Sequence, residues 1–123
     1  MTQFPFRKQM KFRHSITQSD INAQNILRSG VLMKWVSEAC ETYGQLLSKR
    51  LCVIRHIESV DFVSSPKLGE IVVIDASFYK AGKTSLTLKV RASVGEAGDT
   101  IAIFNKIILV CLSEERQPVL HQL

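Results

Sequence analysis

The sequence predicts an α+β domain in which one long helix lies on a layer of about five antiparallel strands. Three observations carry this. One stretch alone has helical periodicity. Everything after it falls into β-branched runs separated by short turns. The chain has 123 residues, the usual size of one domain with one core. Hydrophobic residues make up 46% and charged residues 22%, an ordinary globular balance. A single domain over residues 1–123 is expected, with loose tails at 1–5 and 115–123.

A first strand is expected within residues 6–16, where Phe6, Met10 and Phe12 alternate imperfectly with Arg and Lys. Residues 17–25, TQSDINAQN, are rich in turn formers and are expected to form a loop. The helix follows. Leu32, Trp35, Val36, Ala39, Tyr43, Leu46 and Leu47 recur at i, i+3, i+4 and i+7 and so share one face. Ser29 and Gly30 open it, and Lys49 and Arg50 are expected in its last turn, where cations complement the negative end of the helix dipole.

Strands are expected over 51–62, 70–79, 85–94 and 101–112, each rich in Val, Ile, Leu or Phe. Ser64, Ser65, Pro66 and Gly69 form one turn, Ala81, Gly82 and Lys83 the next, and residues 95–99 the last. Consecutive strands joined by such short turns predict an antiparallel meander.

Composition narrows the function. No apolar run reaches the roughly 18 residues of a membrane span, and residues 1–13 hold four basic residues but no apolar core of a secretion signal. A soluble cytoplasmic protein with no membrane partner is expected. Cys40, Cys52 and Cys111 are widely spaced and form no C-x-x-C pair, so neither zinc nor redox chemistry is expected of them; each sits among apolar neighbours as a small buried hydrophobe. His14, His56 and His121 are dispersed, and no residue is assigned to a metal. The net charge of +5 favours an anionic partner. The basic residues are scattered, Lys34, Lys67, Lys89 and Arg91 among them, without the clustered stripe or aromatic-basic motif of a nucleic-acid binder. Two or three of them suffice for a small polyphosphate.

The segment SDINAQNILRSGVLMKWVSEA resembles the signature of acyl-CoA thioesterases of the hotdog superfamily, in which a D-x-N-x-x-G loop leads to a glycine pair opening the central helix. Asp20 and Asn22 match the loop, Gly30 matches the second glycine, and SVDFVSSPKLGEIVVIDASFYKAGKTSLTLKV is similar to the family's later strands and G-K/R-T-S hairpin. The likeness runs over roughly residues 11–119. It implies a hotdog fold, a sheet wrapped around the helix, and hydrolysis of an acyl-CoA thioester to free acid and coenzyme A. Coenzyme A enters as part of the substrate, and no cofactor is implied. Members pair their sheets edge to edge with the active site between subunits, so a homodimer or a dimer of dimers is expected, in keeping with an edge strand that needs cover.

Carried over residue by residue, the resemblance places catalysis at Asn25, Gly30, Ser37 and Glu38, and substrate binding at Asn22, Ser29, Lys83, Thr84 and Ser85. Gly30 lets a carbonyl approach the open amides of a helix start; alternatively it permits close packing there. Glu38, eight residues on, matches the acid of one branch of the superfamily and can activate water; as an ordinary helix residue it pairs with Lys34. Asn25 can hold the attacking water, or simply form a turn. Ser37 stands where many members carry Asp but cannot ionise, and with Gly30, Met33 and Gly44 it makes a stripe suited to packing. Lys83 can meet a phosphate, and Thr84 or Ser85 the pantetheine arm; alternatively they form a plain hairpin. Ile26 occupies a position that is polar in the family. With Ser37 it favours the rival reading, a non-hydrolytic acyl-CoA or acyl-lipid binder that has lost the usual acid. Dehydration of a hydroxyacyl thioester shares the fold, but its characteristic His is not evident.

Overall fold

A computed structural model describes residues 8–96 and 98–121. Five strands form one antiparallel sheet: β1 (Gln9–Ser15), β2 (Leu51–Phe62), β3 (Ile71–Ala81), β4 (Ser85–Val94) and β5 (Thr100–Leu112). A short 3-10 turn, Gln18–Asp20, precedes the helix α1 (Ser29–Ser48). Positions 6 and 7 of the expected first strand, and the expected tail at 1–5, lie outside the described residues.

The spatial order is β1-β3-β4-β5-β2. Only β3, β4 and β5 form a meander. The expected meander through β2 is corrected: β2 leaves the helix on the far side, pairs with β5, and occupies an edge. The chain then crosses to β3 by residues 63–70, a connection too long for a tight hairpin.

α1 packs its apolar stripe on the concave face of this sheet. Leu32, Val36, Tyr43 and Leu47 are fully buried against Ile74, Leu86, Leu88, Phe104 and Leu109. Burying each such side chain is worth about 1.5–3 kcal/mol. Gly44 meets the sheet where β2 and β5 pass beneath it, beside Leu109 and Cys52. At the other flank Trp35 stacks on His14 of β1. The helix stops two residues earlier than its basic residues suggest. Lys49 is the C-cap, in the left-handed region at φ 59°, and its N–H donates to the Gln45 carbonyl. Lys49 and Arg50 therefore follow the last turn rather than belonging to it; the Arg50 Nε donates to the Leu120 carbonyl.

That contact belongs to a return of the chain end. Rather than trailing free, residues 113–121 turn at Ser113 and Arg116, bridge Leu112 with Pro118, and donate from Val119 N–H to the Cys111 carbonyl. The backbone groups near the end of β5 would otherwise lack partners, which is the physical reason for the return. Among the described residues no helix is long and apolar enough to cross a membrane.

Candidate functional site

The loop before α1 is built by its own polar groups. Ile21 and Leu27 form an isolated bridge and are both buried, which pins the base. Asn22 shapes the tip: its N–H donates to the Ile26 carbonyl, and its Oδ1 accepts from the amides of Gln24 and Ile26 at 2.9 and 3.0 Å. Asn25 takes φ 62°, a conformation that Asn tolerates better than most residues. Leaving the loop, the Arg28 amide donates to the Asp20 carbonyl, and the Arg28 carbonyl accepts from Val31 and Leu32.

That arrangement leaves the Ser29 and Gly30 amides at the positive end of α1 without a protein acceptor among the described residues. A Cβ at Gly30 would meet nothing within 4 Å. The glycine faces open space, so close packing does not explain it. The space is a cleft of about 740 Å³, within the range of small-molecule sites. Asn22, Ile26 and Gly30 line one wall; Phe62, Ser64 and Pro66 line the other.

The second wall comes from the end of β2 and the crossing to β3. The Val63 and Ser64 amides both donate to the Ile101 carbonyl, and Ser64 Oγ donates to the Thr100 carbonyl at 2.7 Å. Phe62 stands edge-on to Phe104, ring centroids 6.3 Å apart, yet is 54% exposed. Apolar Ile26 and Phe62 thus face solvent beside two open amides: a place for a polarised carbonyl next to an apolar chain. Arg28 is the one charged residue among those lining the cleft, and it suits an anionic ligand.

Of the residues singled out in the sequence, the cleft gathers Asn22, Ser29 and Gly30. It does not gather Asn25, which borders it in the same turn. Nor does it gather Ser37, which is half-buried, or Glu38, which is exposed. The charge of Glu38 is felt by His14 on β1, the sheet edge opposite β2. Lys83, Thr84 and Ser85 sit at the β3–β4 hairpin, at the other end of the sheet; β4 runs ten residues from there, about 30 Å at strand rise. Sequence reasoning missed the wall from Phe62 to Pro66 and Ile101. The signal was present in Phe62 and Val63, two apolar residues placed at the entry to a polar turn. Among the described residues, no three His, Cys, Asp or Glu side chains gather as a metal site.

The model of the thioesterase superfamily matches residues 24–101, which include the loop, the helix and the cleft's second wall. No curated protein matches the chain in sequence. Solved structures do match in fold. An acyl-CoA hydrolase from Staphylococcus aureus, in complex with butyryl coenzyme A, coenzyme A and coenzyme A disulfide, aligns at TM-score 0.82 and 22% identity over 93% of this chain and 69% of that one. A hexameric thioesterase from Yersinia pestis aligns at TM-score 0.83 and 17% identity, over 91% and 93%. An acyl-CoA hydrolase from Bacillus cereus aligns at 0.78 and 21%, over 93% and 71%. The five-stranded sheet around one long helix is the hotdog fold, and the chain belongs to the thioesterase superfamily.

Proposed function

We propose that this protein hydrolyses an acyl-CoA thioester to the free acid and coenzyme A. The observation that carries the reading is the Gly30 amide, open at the positive end of α1 and facing a cleft. The thioester carbonyl docks on that amide, and the acyl chain lies against Ile26, Leu32 and Phe62. As negative charge develops on the carbonyl oxygen, the amide stabilises it; one such donor is commonly worth about 2.7–4 kcal/mol. Ser29 supplies the neighbouring amide. Asn25, at the rim, orients water, and Glu38 acts as the base that activates it.

The site works across a subunit boundary. Lys83, Thr84 and Ser85 can reach a substrate only in another subunit's cleft, given their place at the far end of the sheet. Strand β2 is a twelve-residue edge with Leu51 and Val53 exposed, a surface suited to pairing. A homodimer is the minimal unit, a dimer of dimers the larger one; that a relative is hexameric supports assembly in general. Glu38, which stands off its own cleft, acts on the substrate held at such a boundary. Replacing Glu38 by Ala abolishes turnover of acyl-CoA in this reading; an unchanged rate removes Glu38 from the mechanism.

A second reading, a non-hydrolytic binder of acyl-CoA or acyl-lipid, is favoured by one observation: the residues lining the cleft include no carboxylate and no imidazole. Mixing protein with acyl-CoAs and a thiol reagent separates the two. Thiol release supports hydrolysis; binding without release selects the second reading.

A further inference from the structure

The convex face of the sheet, away from α1, carries a cluster of cations assembled from three strands. Lys89 Nζ lies 4.4 Å from the centroid of the Tyr79 ring, Lys106 Nζ 5.7 Å and Lys80 Nζ 5.9 Å. Two of the three reach the ring because their strands are bulged. In β3 the register shifts between Phe78 and Lys80, so that Tyr79 and Lys80 come beside Thr87 while Phe78 keeps its place on the core. In β5, Asn105 and Lys106 are set against the single β4 residue Lys89. Lys106 takes φ 54°, a left-handed conformation that a lysine rarely adopts. Bulges re-aim side chains and gather at functional places; here they bring like charges together.

The cluster is under-neutralised. Glu58 lies 3.8 Å from Lys106 and also accepts from Asn105. Neither Lys80 nor Lys89 has an ion-pair partner among the described residues. Asp75, the next acid along β3, lies between Lys11 and Arg91 in the register and forms no ion pair among the described residues, and its Oδ1 is buried without a hydrogen-bond partner there. Lys11 and Arg13 share Glu96. Tyr79 is 45% exposed. Without a ligand the ammonium groups rest on its ring as cation–π contacts. A phosphate draws them off by stronger charge-assisted hydrogen bonds, and the freed ring offers a face on which a base stacks.

We propose that Tyr79, Lys80, Lys89 and Lys106 form a docking site for the phosphorylated end of a nucleotide. That chemistry has two sources: the nucleotide end of an acyl-CoA, in which case the inference rests on the proposed function, or a free nucleotide that binds independently of it. Titration calorimetry with adenosine 3′,5′-bisphosphate needs no catalysis and reads the site directly. The double variant Lys80→Glu/Lys89→Glu weakens binding at least tenfold, and Tyr79→Ala weakens it by a smaller factor. Equal affinity in wild type and double variant overturns the proposal. Circular dichroism and melting of the same variants check that the sheet is intact. The source follows from kinetics. If KM rises for acyl-CoA but not for acyl-pantetheine, which lacks the nucleotide, the site holds the substrate's own end. If nucleotide affinity falls while KM is unchanged, it holds a separate ligand.

Discussion

His14 of β1 and Trp35 of α1 lie face to face, ring centroids 4.4 Å apart and 7° from parallel. The pair closes one flank of the helix against an edge strand. Burial against the indole disfavours the charged imidazole and lowers the His14 pKa below its ordinary 6.5; Glu38 and Asp20 oppose this, less strongly.

A pH dependence follows. The folded protein binds the His14 proton less tightly than the unfolded chain does, so the unfolded state gains protons first as pH falls. The stacking contribution is fully present above pH 6.5 and declines as pH drops below that value towards the lowered folded one. Thermal melts from about pH 7.5 to about 5.5 should show wild type losing stability relative to His14→Phe, which keeps the stack and cannot titrate. Parallel curves refute the assignment. Glu38→Gln should lower the His14 pKa further, which NMR titration of the ring reads.

At Gly30 stability and activity should part. Its Cβ would meet nothing within 4 Å, and Gly within a helix is less stable than Ala by roughly 0.5–1 kcal/mol. Gly30→Ala should therefore leave the urea midpoint unchanged or raised. In the proposed mechanism the added methyl obstructs the approach to the amide, and kcat/KM falls tenfold or more. Loss of both stability and activity would mean that the glycine serves packing after all.

Gly44 behaves in the opposite way. A Cβ there would lie 2.5 Å from Leu109 Cδ1 and 3.3 Å from Cys52 Sγ. Leu109 is fully buried and cannot step aside cheaply. Gly44→Ala should destabilise by about 1–3 kcal/mol, the usual range for overpacking, seen as a lower urea midpoint at unchanged slope. A neutral result would show that the helix rides further from β2 and β5 than described.

These two glycines mark how much the sequence discloses. Helical periodicity and β-branched runs are local, so the start of the helix and the strands Leu51–Phe62 and Ser85–Val94 are legible to the residue, while the helix ends before the two basic residues expected in its last turn. Strand order is not local. Nothing within Leu51–Phe62 states that it pairs with β5 rather than β3; the length of the following crossing is the one hint. The same limit holds at the site. Gly30 and Asn22 are legible because one contiguous segment carries both, whereas the wall from Phe62 to Ile101 exists only once the sheet is assembled. Lys80, Lys89 and Lys106 look scattered along the chain, and two bulges bring them to one ring.

The cysteines give a last test, of the core as a whole. Cys52 and Cys111 are cross-strand partners with Sγ atoms 3.9 Å apart, and Cys52 Sγ also lies 3.3 Å from Ser48 Oγ. Burial pushes the Cys40 thiol up to about 12 and the Cys52 thiol up to about 11. The thiolate is the reactive form, so both are inert as well as shielded. Native protein should release no colour from a thiol reagent within the time of an enzyme assay, and should titrate three thiols in denaturant. Slow labelling in native buffer should follow opening of the core, and so should accelerate in Gly44→Ala by about tenfold for each 1.4 kcal/mol of lost stability when reclosing outpaces reaction. Rapid labelling of the native protein would mean that the β2–β5 seam beneath α1 is open, and the tight contact between helix and sheet would have to be redrawn.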